Sequence, residues 1–250
     1  MNKSDLKYQS YLQILREELI PAMGCTEPIA LAYAAAKARE VLGRLPSRVH
    51  IGASGSIIKN VKSVIVPNTG GLRGIPAAAT AGIIAGKSEK ALEVISEVCK
   101  EDIEKMKYFL ETADITVEHI DQGVTFDIVI DLTHGEDSVR VRIANFHTNL
   151  VYIEKNGETI LEIPVEDDSD KGLTDRSILN VESIWDFITS VDVTDLEELL
   201  EWLGITEEKW NALTKEQQES LMYDYYEDIV CDIDRDGYDS MDYRINILEQ

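Results

Sequence analysis

The sequence predicts an α+β fold, in which helices pack on an antiparallel sheet and a small, acidic, mainly helical module follows. Three observations support this prediction. Several segments in the first 112 residues carry apolar side chains at helical spacing. Residues 115–163 alternate apolar and polar side chains with the period of a half-buried strand. From residue 166 onward, acidic side chains dominate the sequence.

Two helices are predicted near the amino-terminal end. The first covers Leu6–Leu19 and ends before Pro21, because proline disfavours continuation of a helix. For the second helix, Thr26 is the expected N-cap, Pro28 fits the first turn and Gly43 is the expected stop.

The next stretch is predicted to combine short strands, a glycine-rich loop and two helices. Val49–Ala53 and Val61–Val66 read as short strands. Pro67–Gly74 is a glycine-rich loop that opens a helix of small residues over Ile75–Gly86. A long amphipathic helix, capped by its first residue, is expected over Ser88–Thr112.

A series of five strands is predicted after these helices. The dipeptide Asn156-Gly157 is favoured in two-residue hairpin turns and separates the last two strands. A charged linker, Glu166–Gly172, and a helix over Val181–Ile188 follow. The predicted strands are Ile115–Ile120, Val124–Leu132, Val139–Phe146, Leu150–Ile153 and Thr159–Ile163.

The net charge of −23 is unevenly distributed along the chain. Residues 1–165 contain 18 Lys and Arg against 22 Asp and Glu, a net charge of −4, whereas residues 166–250 contain 6 against 25, a net charge of −19. We therefore predict an α+β domain over 1–165, a linker and connecting helix over 166–194, and an acidic helical module over 195–250. Such a module repels nucleic acid and anionic membranes and attracts basic proteins.

A cytoplasmic location is expected from the termini and the cysteines. The first residues are polar, and no apolar signal-peptide segment follows them. The most apolar stretch, Ile75–Ala85, is too short for a membrane span of about 20 residues. Cys25, Cys99 and Cys231 are odd in number and far apart, which does not indicate a disulfide framework.

The segment Pro21–Pro28 is the sharpest local motif. It places Cys25 just before a helix amino terminus, where the helix dipole and unpaired backbone N–H groups stabilise a thiolate and lower the pKa of the thiol. A thiolate can bind a metal or an iron–sulfur cluster. The alternative is that Cys25 is a small buried apolar residue, and both interpretations stay open on spacing alone.

A second motif is the glycine-rich loop from Thr69 to Gly74, which precedes a helix. Its backbone N–H groups are suited to binding a carboxylate or phosphate, with Arg73 as the counter-charge. The alternative is a tight turn that permits close helix packing.

Four segments, in this order, resemble the L-cysteine desulfidase family, whose members are related to iron–sulfur L-serine dehydratases. They are the motif around Cys25, the segment ending in Lys59-Asn60, the loop Val66–Gly74 with its following Ile-Pro-Ala-Ala-Ala, and Phe146–Val151. The resemblance extends from about Glu17 to Val191.

The resemblance implies a carbon–sulfur lyase that converts L-cysteine to pyruvate, ammonia and sulfide. In the family, three cysteines hold a [4Fe-4S] cluster whose open iron acts as a Lewis acid, and Cys25 matches the first of these ligands. By the same resemblance, we expect catalytic roles for Lys59, Asn60 and His147 and substrate-binding roles for Thr69, Gly70, Arg73 and Asn149.

The family's other two cluster cysteines lie in a glycine- and alanine-rich carboxy-terminal half, for which this sequence has no counterpart. Cys99 is expected in the protein core, on the apolar face of the amphipathic helix, and Cys231 lies in the acidic tail. We therefore expect the domain to be inactive alone, and a second chain is one way to complete it. Whether the chain acts as an enzyme is left open.

The acidic tail contains a candidate calcium motif. Asp232, Asp234 and Asp236 occupy positions 1, 3 and 5 of an EF-hand loop, and Gly237 occupies position 6. Position 12 is Tyr243 rather than glutamate, so an acidic turn is the alternative.

A second class of function is a non-catalytic interaction protein. Tyr223–Asp228 interleaves tyrosines with carboxylates, a pattern that can imitate a nucleic-acid backbone. The tail would then inhibit a basic, nucleic-acid-binding partner, as phage-borne anti-defence inhibitors do. The simpler interpretation is a solvated helix face with its tyrosines packed inward, and a homo-oligomer is left open as well.

Overall fold

The structure is a computed structural model that describes residues 1–19, 22–165, 174–192 and 194–196. The chain divides into two compact units. The larger unit comprises residues 17–176, and the smaller one combines residues 1–16 with the chain from residue 177 onward. The linker over 166–172 and almost all of the acidic module over 195–250 lie outside the described residues. The predicted boundaries at residues 165 and 195 therefore stay predictions.

The predicted α+β class is confirmed. Among the described residues, the α-helices are α1 (Leu6–Glu18), α2 (Thr26–Leu42), α3 (Gly55–Val61), α4 (Gly74–Ala85), α5 (Lys100–Thr112) and α6 (Val181–Ser190). The strands are β1 (Arg48–Ala53), β2 (Asp114–His119), β3 (Asp127–His134), β4 (Asp137–Ala144), β5 (Leu150–Lys155) and β6 (Glu158–Glu162). Two short 3-10 helices cover Ser88–Glu93 and Arg176–Ile178.

The six strands form one sheet in the order β2-β1-β3-β4-β5-β6. The antiparallel series β3 to β6 confirms the strands predicted from the alternating pattern, and Asn156 and Gly157 adopt positive φ values of 52° and 81° in the last hairpin turn. The prediction of a wholly antiparallel sheet is wrong at one pair, because β1 and β2 are parallel. Residues 54–113 connect these two strands. Parallel strands require a crossover of about a dozen residues or more, and this connection meets that requirement.

Three other expectations are corrected. The predicted strand over Val61–Val66 is instead the end of α3 and a turn, with a single bridge between Ile65 and Arg73. The predicted helix over Ser88–Thr112 is broken, because Ala91 has non-helical backbone angles and α5 begins only at Lys100. The N-cap of α2 is the residue before the expected Thr26.

The core of the larger unit lies between one face of the sheet and helices α2 and α4. Alternate sheet residues such as Ile51, Ile130 and Val141 are fully buried there with the alanines of α2. The two helices approach closely because small residues line their contact. A Cβ added at Gly82 of α4 would lie 2.0 Å from the carbonyl oxygen of Ala32 in α2.

This close approach predicts an unusual effect of Gly82→Ala. Alanine is favoured over glycine inside helices by about 1 kcal/mol. Here the added methyl group meets backbone, which cannot rotate away, so we expect a net loss of about 1–3 kcal/mol in the free energy of unfolding, measured by urea titration. Gly55→Ala is the control, since its Cβ would lie 3.5 Å from the nearest atom, His119 Nε2. Equal stability of the Gly82 variant and the native chain would contradict this packing.

The other face of the sheet carries charged side chains that pair across the strands. Arg142 of β4 binds Asp127 of β3 with two hydrogen bonds of 2.8 Å, and Arg140 binds Asp131 in the same bidentate way. His50 of β1 lies 3.2 Å from the Asp131 carboxylate. His50, Asp131, Arg140 and Arg142 line an open cleft of about 940 Å³. Their charged groups are already paired across the strands.

The smaller unit is built on an aromatic cluster between α1 and α6. The ring of Tyr11 stacks on Phe187 with centroids 4.8 Å apart, and Tyr8 meets Phe187 edge-on at 5.4 Å. The Tyr11 hydroxyl lies 2.8 Å from the Ser183 hydroxyl. Within the described part of the chain, no helix has both the length and the apolar character needed to cross a membrane.

Candidate functional site

Cys25 stands at the amino terminus of α2, as the sequence predicted. It is the N-cap residue of this helix and is exposed. Its Sγ donates a hydrogen bond to Glu27 Oε2 at 3.3 Å. Gly24, the preceding residue, packs near Pro67: a Cβ added at Gly24 would lie 3.5 Å from Pro67 Cγ. The residue before the cysteine therefore lies beside the glycine-rich loop, and the thiol itself is accessible to a ligand.

Glu27 connects the cysteine to the segment that ends in Lys59-Asn60. Its Oε1 accepts a hydrogen bond of 3.1 Å from Asn60 Nδ2 of α3. Burial acts to raise the pKa of Glu27, but hydrogen bonds from its own backbone N–H, Cys25 and Asn60 outweigh it, so the net pKa is lowered. Glu27 is therefore an ionised carboxylate that joins α2 to α3. Glu27 was not among the predicted site residues, although a carboxylate two residues after the cysteine was a usable sign of a polar site.

His147 lies in the turn between β4 and β5, where the Glu27 carboxylate acts on it electrostatically. Burial lowers the pKa of His147, and the negative charge of Glu27 opposes this shift. Its ring lies against Phe126, with centroids 4.5 Å apart. Its Nε2 atom is buried and has no hydrogen-bond partner among the described residues. A buried nitrogen of this kind is suited to bind a polar ligand group.

The buried imidazole predicts a pH effect on stability. Its folded-state pKa lies below the unfolded value of about 6.5, so its neutral form stabilises the fold above that pH, and this contribution is lost as the pH falls through the folded-state value. We expect the melting temperature of the native chain to fall more steeply from pH 7 to pH 5 than that of His147→Gln. His134→Gln, at an exposed position, controls for loss of a histidine. Parallel curves for the native chain and His147→Gln would contradict the assignment.

The glycine-rich loop is held mainly by its own contacts. Thr69 is fully buried, and its hydroxyl donates to the carbonyl oxygen of Val66 at 2.7 Å. Gly70 lies near the side chain of Ile103. Arg73 is exposed, and its Nη1 donates to the carbonyl oxygen of Ser63 at 3.4 Å. These contacts fit the tight-turn interpretation and leave the predicted substrate-binding roles as predictions.

The remaining predicted residues, Lys59 and Asn149, lie on the same two segments as Asn60 and His147. Lys59 is exposed on α3, next to Asn60. The Asn149 side chain donates to the carbonyl oxygen of Ala144 at 2.9 Å and closes the turn that carries His147. The structure therefore joins Cys25 and Asn60 through Glu27, and the charge of Glu27 also acts on His147.

Cys99 is not the core residue that the sequence suggested. It is exposed at the N-cap of α5, because the helix expected to bury it is broken before this point. Hydrogen bonds from its thiol to Glu101 and Asp102 raise its pKa and favour the protonated form. A protonated thiol is a poor metal ligand.

The residues implied for an iron–sulfur cluster are therefore incomplete in this part of the chain. Cys25 is one candidate thiol ligand, and in this structure its Sγ donates to a carboxylate as that of Cys99 does, whereas the resemblance implies three thiolates. The described residues contain no group of three or more His, Cys, Asp or Glu side chains arranged to hold a metal ion. Cys231 and the calcium candidates Asp232, Asp234 and Asp236 lie outside the residues that the structure describes.

Comparison with known proteins finds relatives that share one name. A UPF0597 protein of Desulfitobacterium hafniense is 53% identical over 201 residues, covering 80% of this chain and 47% of the relative. UPF0597 proteins of Treponema denticola and Lachnoclostridium phytofermentans are 42% and 43% identical, with coverage of 80% and 78% of this chain and 47% and 46% of the relatives. The chain spans about half the length of the curated relatives it matches. No family model and no solved structure matches it.

Proposed function

This chain is a homologue of the UPF0597 proteins over four fifths of its length, and we propose that it is one half of a cysteine-desulfidase-like lyase. The single observation that carries the proposal is the Glu27 carboxylate, which accepts hydrogen bonds from Cys25 and Asn60 and acts electrostatically on His147. Cys25, Asn60 and His147 are residues that the resemblance assigned to a cluster ligand and to catalysis. The chain contributes one cysteine and a group of polar side chains, and a second polypeptide segment completes the site.

The proposed substrate is L-cysteine, and the residues of this half act by binding it. The Glu27 carboxylate is suited to accept hydrogen bonds from an ammonium group, and the neutral His147 Nε2 is suited to pair with a polar group of the amino acid. The Asn60 side chain is fixed through its bond to Glu27, which reduces the entropy lost on binding. Because a single thiolate does not hold the cluster, we assign no reaction step to it.

Reconstitution tests the proposal. The chain is combined anaerobically with a separately produced polypeptide covering the part of the Desulfitobacterium hafniense relative that it does not span, in the presence of iron and sulfide. After removal of excess sulfide, L-cysteine is added, and sulfide and pyruvate are measured. We expect turnover from the pair and none above background from either part.

The full-length relative is the positive control for this experiment. Absence of cysteine breakdown by the full-length relative would overturn the proposed function. Turnover by this chain alone would overturn the half-site assignment.

A second candidate function rests on the charge of the tail. We propose as the alternative that the acidic residues after 203 bind a basic protein, because residues 204–250 contain 13 acidic and 4 basic side chains, a net charge of −9 that favours such association. Truncation after Leu203 retains the described Asp195 and Leu196. We expect it to leave the melting temperature unchanged and to abolish low-salt binding to a basic test protein such as a histone. A lower melting temperature would instead assign the tail a role in folding.

A further inference from the structure

Helix α6 carries an apolar stripe that the described structure leaves exposed. Val181, Ile184, Trp185 and Ile188 are exposed by 86%, 40%, 66% and 54%. They follow the spacing i, i+3, i+4, i+7, so they share one side of the helix over about two turns. Isolated exposed apolar residues are common, but a contiguous helical stripe marks a binding surface.

The stripe is separate from the side of α6 that packs in the smaller unit. Ser183 and Phe187 are the buried residues of this helix, and they contact the aromatic cluster on α1. Leu196 also packs against this cluster. Helix α6 is therefore apolar on two sides, of which only one is used within the described structure.

The chain's own tail is a poor occupant of the stripe. Leu196, Leu199, Leu200 and Leu203 share the spacing i, i+3, i+4, i+7, which predicts one apolar side on a single helix, and Leu196 packs against the aromatic cluster. Residues 204–250 contain 13 acidic and 4 basic side chains. The polar positions beside the stripe, Glu182 and Asp186, are acidic as well, so like charges oppose docking of this segment.

We infer that the stripe on α6 docks into an apolar groove of a second polypeptide equivalent to the part of the UPF0597 proteins that this chain does not span. The length relation supports this occupant, because the chain covers only 47% of these two relatives and the proposed site needs the half that it does not span. The stripe has the anchor spacing of an amphipathic helix that binds in a groove. The choice of partner rests on the proposed function. The exposed stripe on α6 is the surface of this chain that the partner would contact.

A binding measurement tests the inference without any assay of activity. The chain is labelled and titrated with the remaining half of the Desulfitobacterium hafniense relative, produced separately, at moderate salt. Trp185→Asp is expected to weaken binding by at least about thirtyfold, the effect typical of a central interface residue. The matched control is Tyr108→Asp on α5, an equally exposed aromatic at 69%, which is expected to leave the affinity unchanged. Circular dichroism and melting of both variants verify that they fold.

The outcomes separate this inference from the proposed function. Loss of binding in Trp185→Asp and Ile188→Asp, but not in Tyr108→Asp, supports the docking surface even if the bound pair fails to degrade cysteine. Unchanged affinity in both stripe variants overturns it. So does a native chain that is dimeric in solution and becomes monomeric with Trp185→Asp, because a second copy would then occupy the stripe. Binding that appears only after truncation at Leu203 also overturns it, because the tail would be the occupant.

Discussion

Cys25→Ser is expected to abolish cysteine breakdown by the reconstituted pair. Serine retains the size of the side chain, but its hydroxyl does not ionise near neutral pH and does not replace a thiolate ligand. Loss of an outer-shell partner of a metal site already costs about 10- to 100-fold, so loss of a direct ligand is expected to exceed a hundredfold in kcat. Sulfide release and the absorbance of the reconstituted cluster are the two measurements.

The control for this substitution is Cys99→Ser. Cys99 is also exposed and precedes a helix, but its thiol donates to Glu101 and Asp102 at 3.1 Å. Serine is among the best N-cap residues and can make the same contacts, so we expect full activity and unchanged melting. Comparable loss in both variants would mean that exposure of a thiol, rather than its position beside Glu27, determines the result.

Arg142→Ala is expected to destabilise the larger unit by about 3–5 kcal/mol. Its partner Asp127 has only 1% of its side chain exposed, so removing the arginine leaves a buried carboxylate without its bidentate cation. The loss exceeds the value of the pair itself, because the aspartate has already been withdrawn from water. Urea unfolding is expected to show a lower midpoint at an unchanged m-value.

Arg140→Ala provides a matched control on the same strand and the same face. Arg140 forms a similar bidentate pair with Asp131, but 54% of its side chain is exposed. Exposed pairs contribute about 0–1 kcal/mol, so this variant is expected to resemble the native chain. Equal losses in the two variants would show that burial of Asp127 does not govern the energetics of this face.

The antiparallel part of the fold could be predicted because its information is local. Alternating side chains in β3 and β4 and the Asn156-Gly157 turn encode strands and a hairpin without reference to distant residues. Neither the direction nor the partner of β2 is encoded in this way, because a strand next to β1 shows the same alternation in either orientation. The break at Ala91 was equally hidden, since alanine rarely adopts the positive φ found there.

The candidate site was predicted in its parts but not in its connection. The position of Cys25 before a helix followed from local capping rules, and His147 was selected through the family resemblance. Glu27 was overlooked, because an acidic residue in the first turn of a helix has an ordinary role in stabilising the helix dipole. Its hydrogen bond with Asn60 and its electrostatic effect on His147 depend on tertiary packing that no local pattern contains.

The parallel pairing of β1 and β2 has a consequence for the order of folding. The hairpins from β3 to β6 join residues close in sequence and form with little loss of chain entropy. The β1–β2 pair must close a connection of about sixty residues, which slows its formation. Glu27 and Asn60 are 33 residues apart, and His147 lies 87 residues beyond Asn60. Refolding chains are therefore expected to form the meander first and the contacts around Glu27 last, so pulse-labelling hydrogen exchange should protect β3 to β5 before β1 and β2.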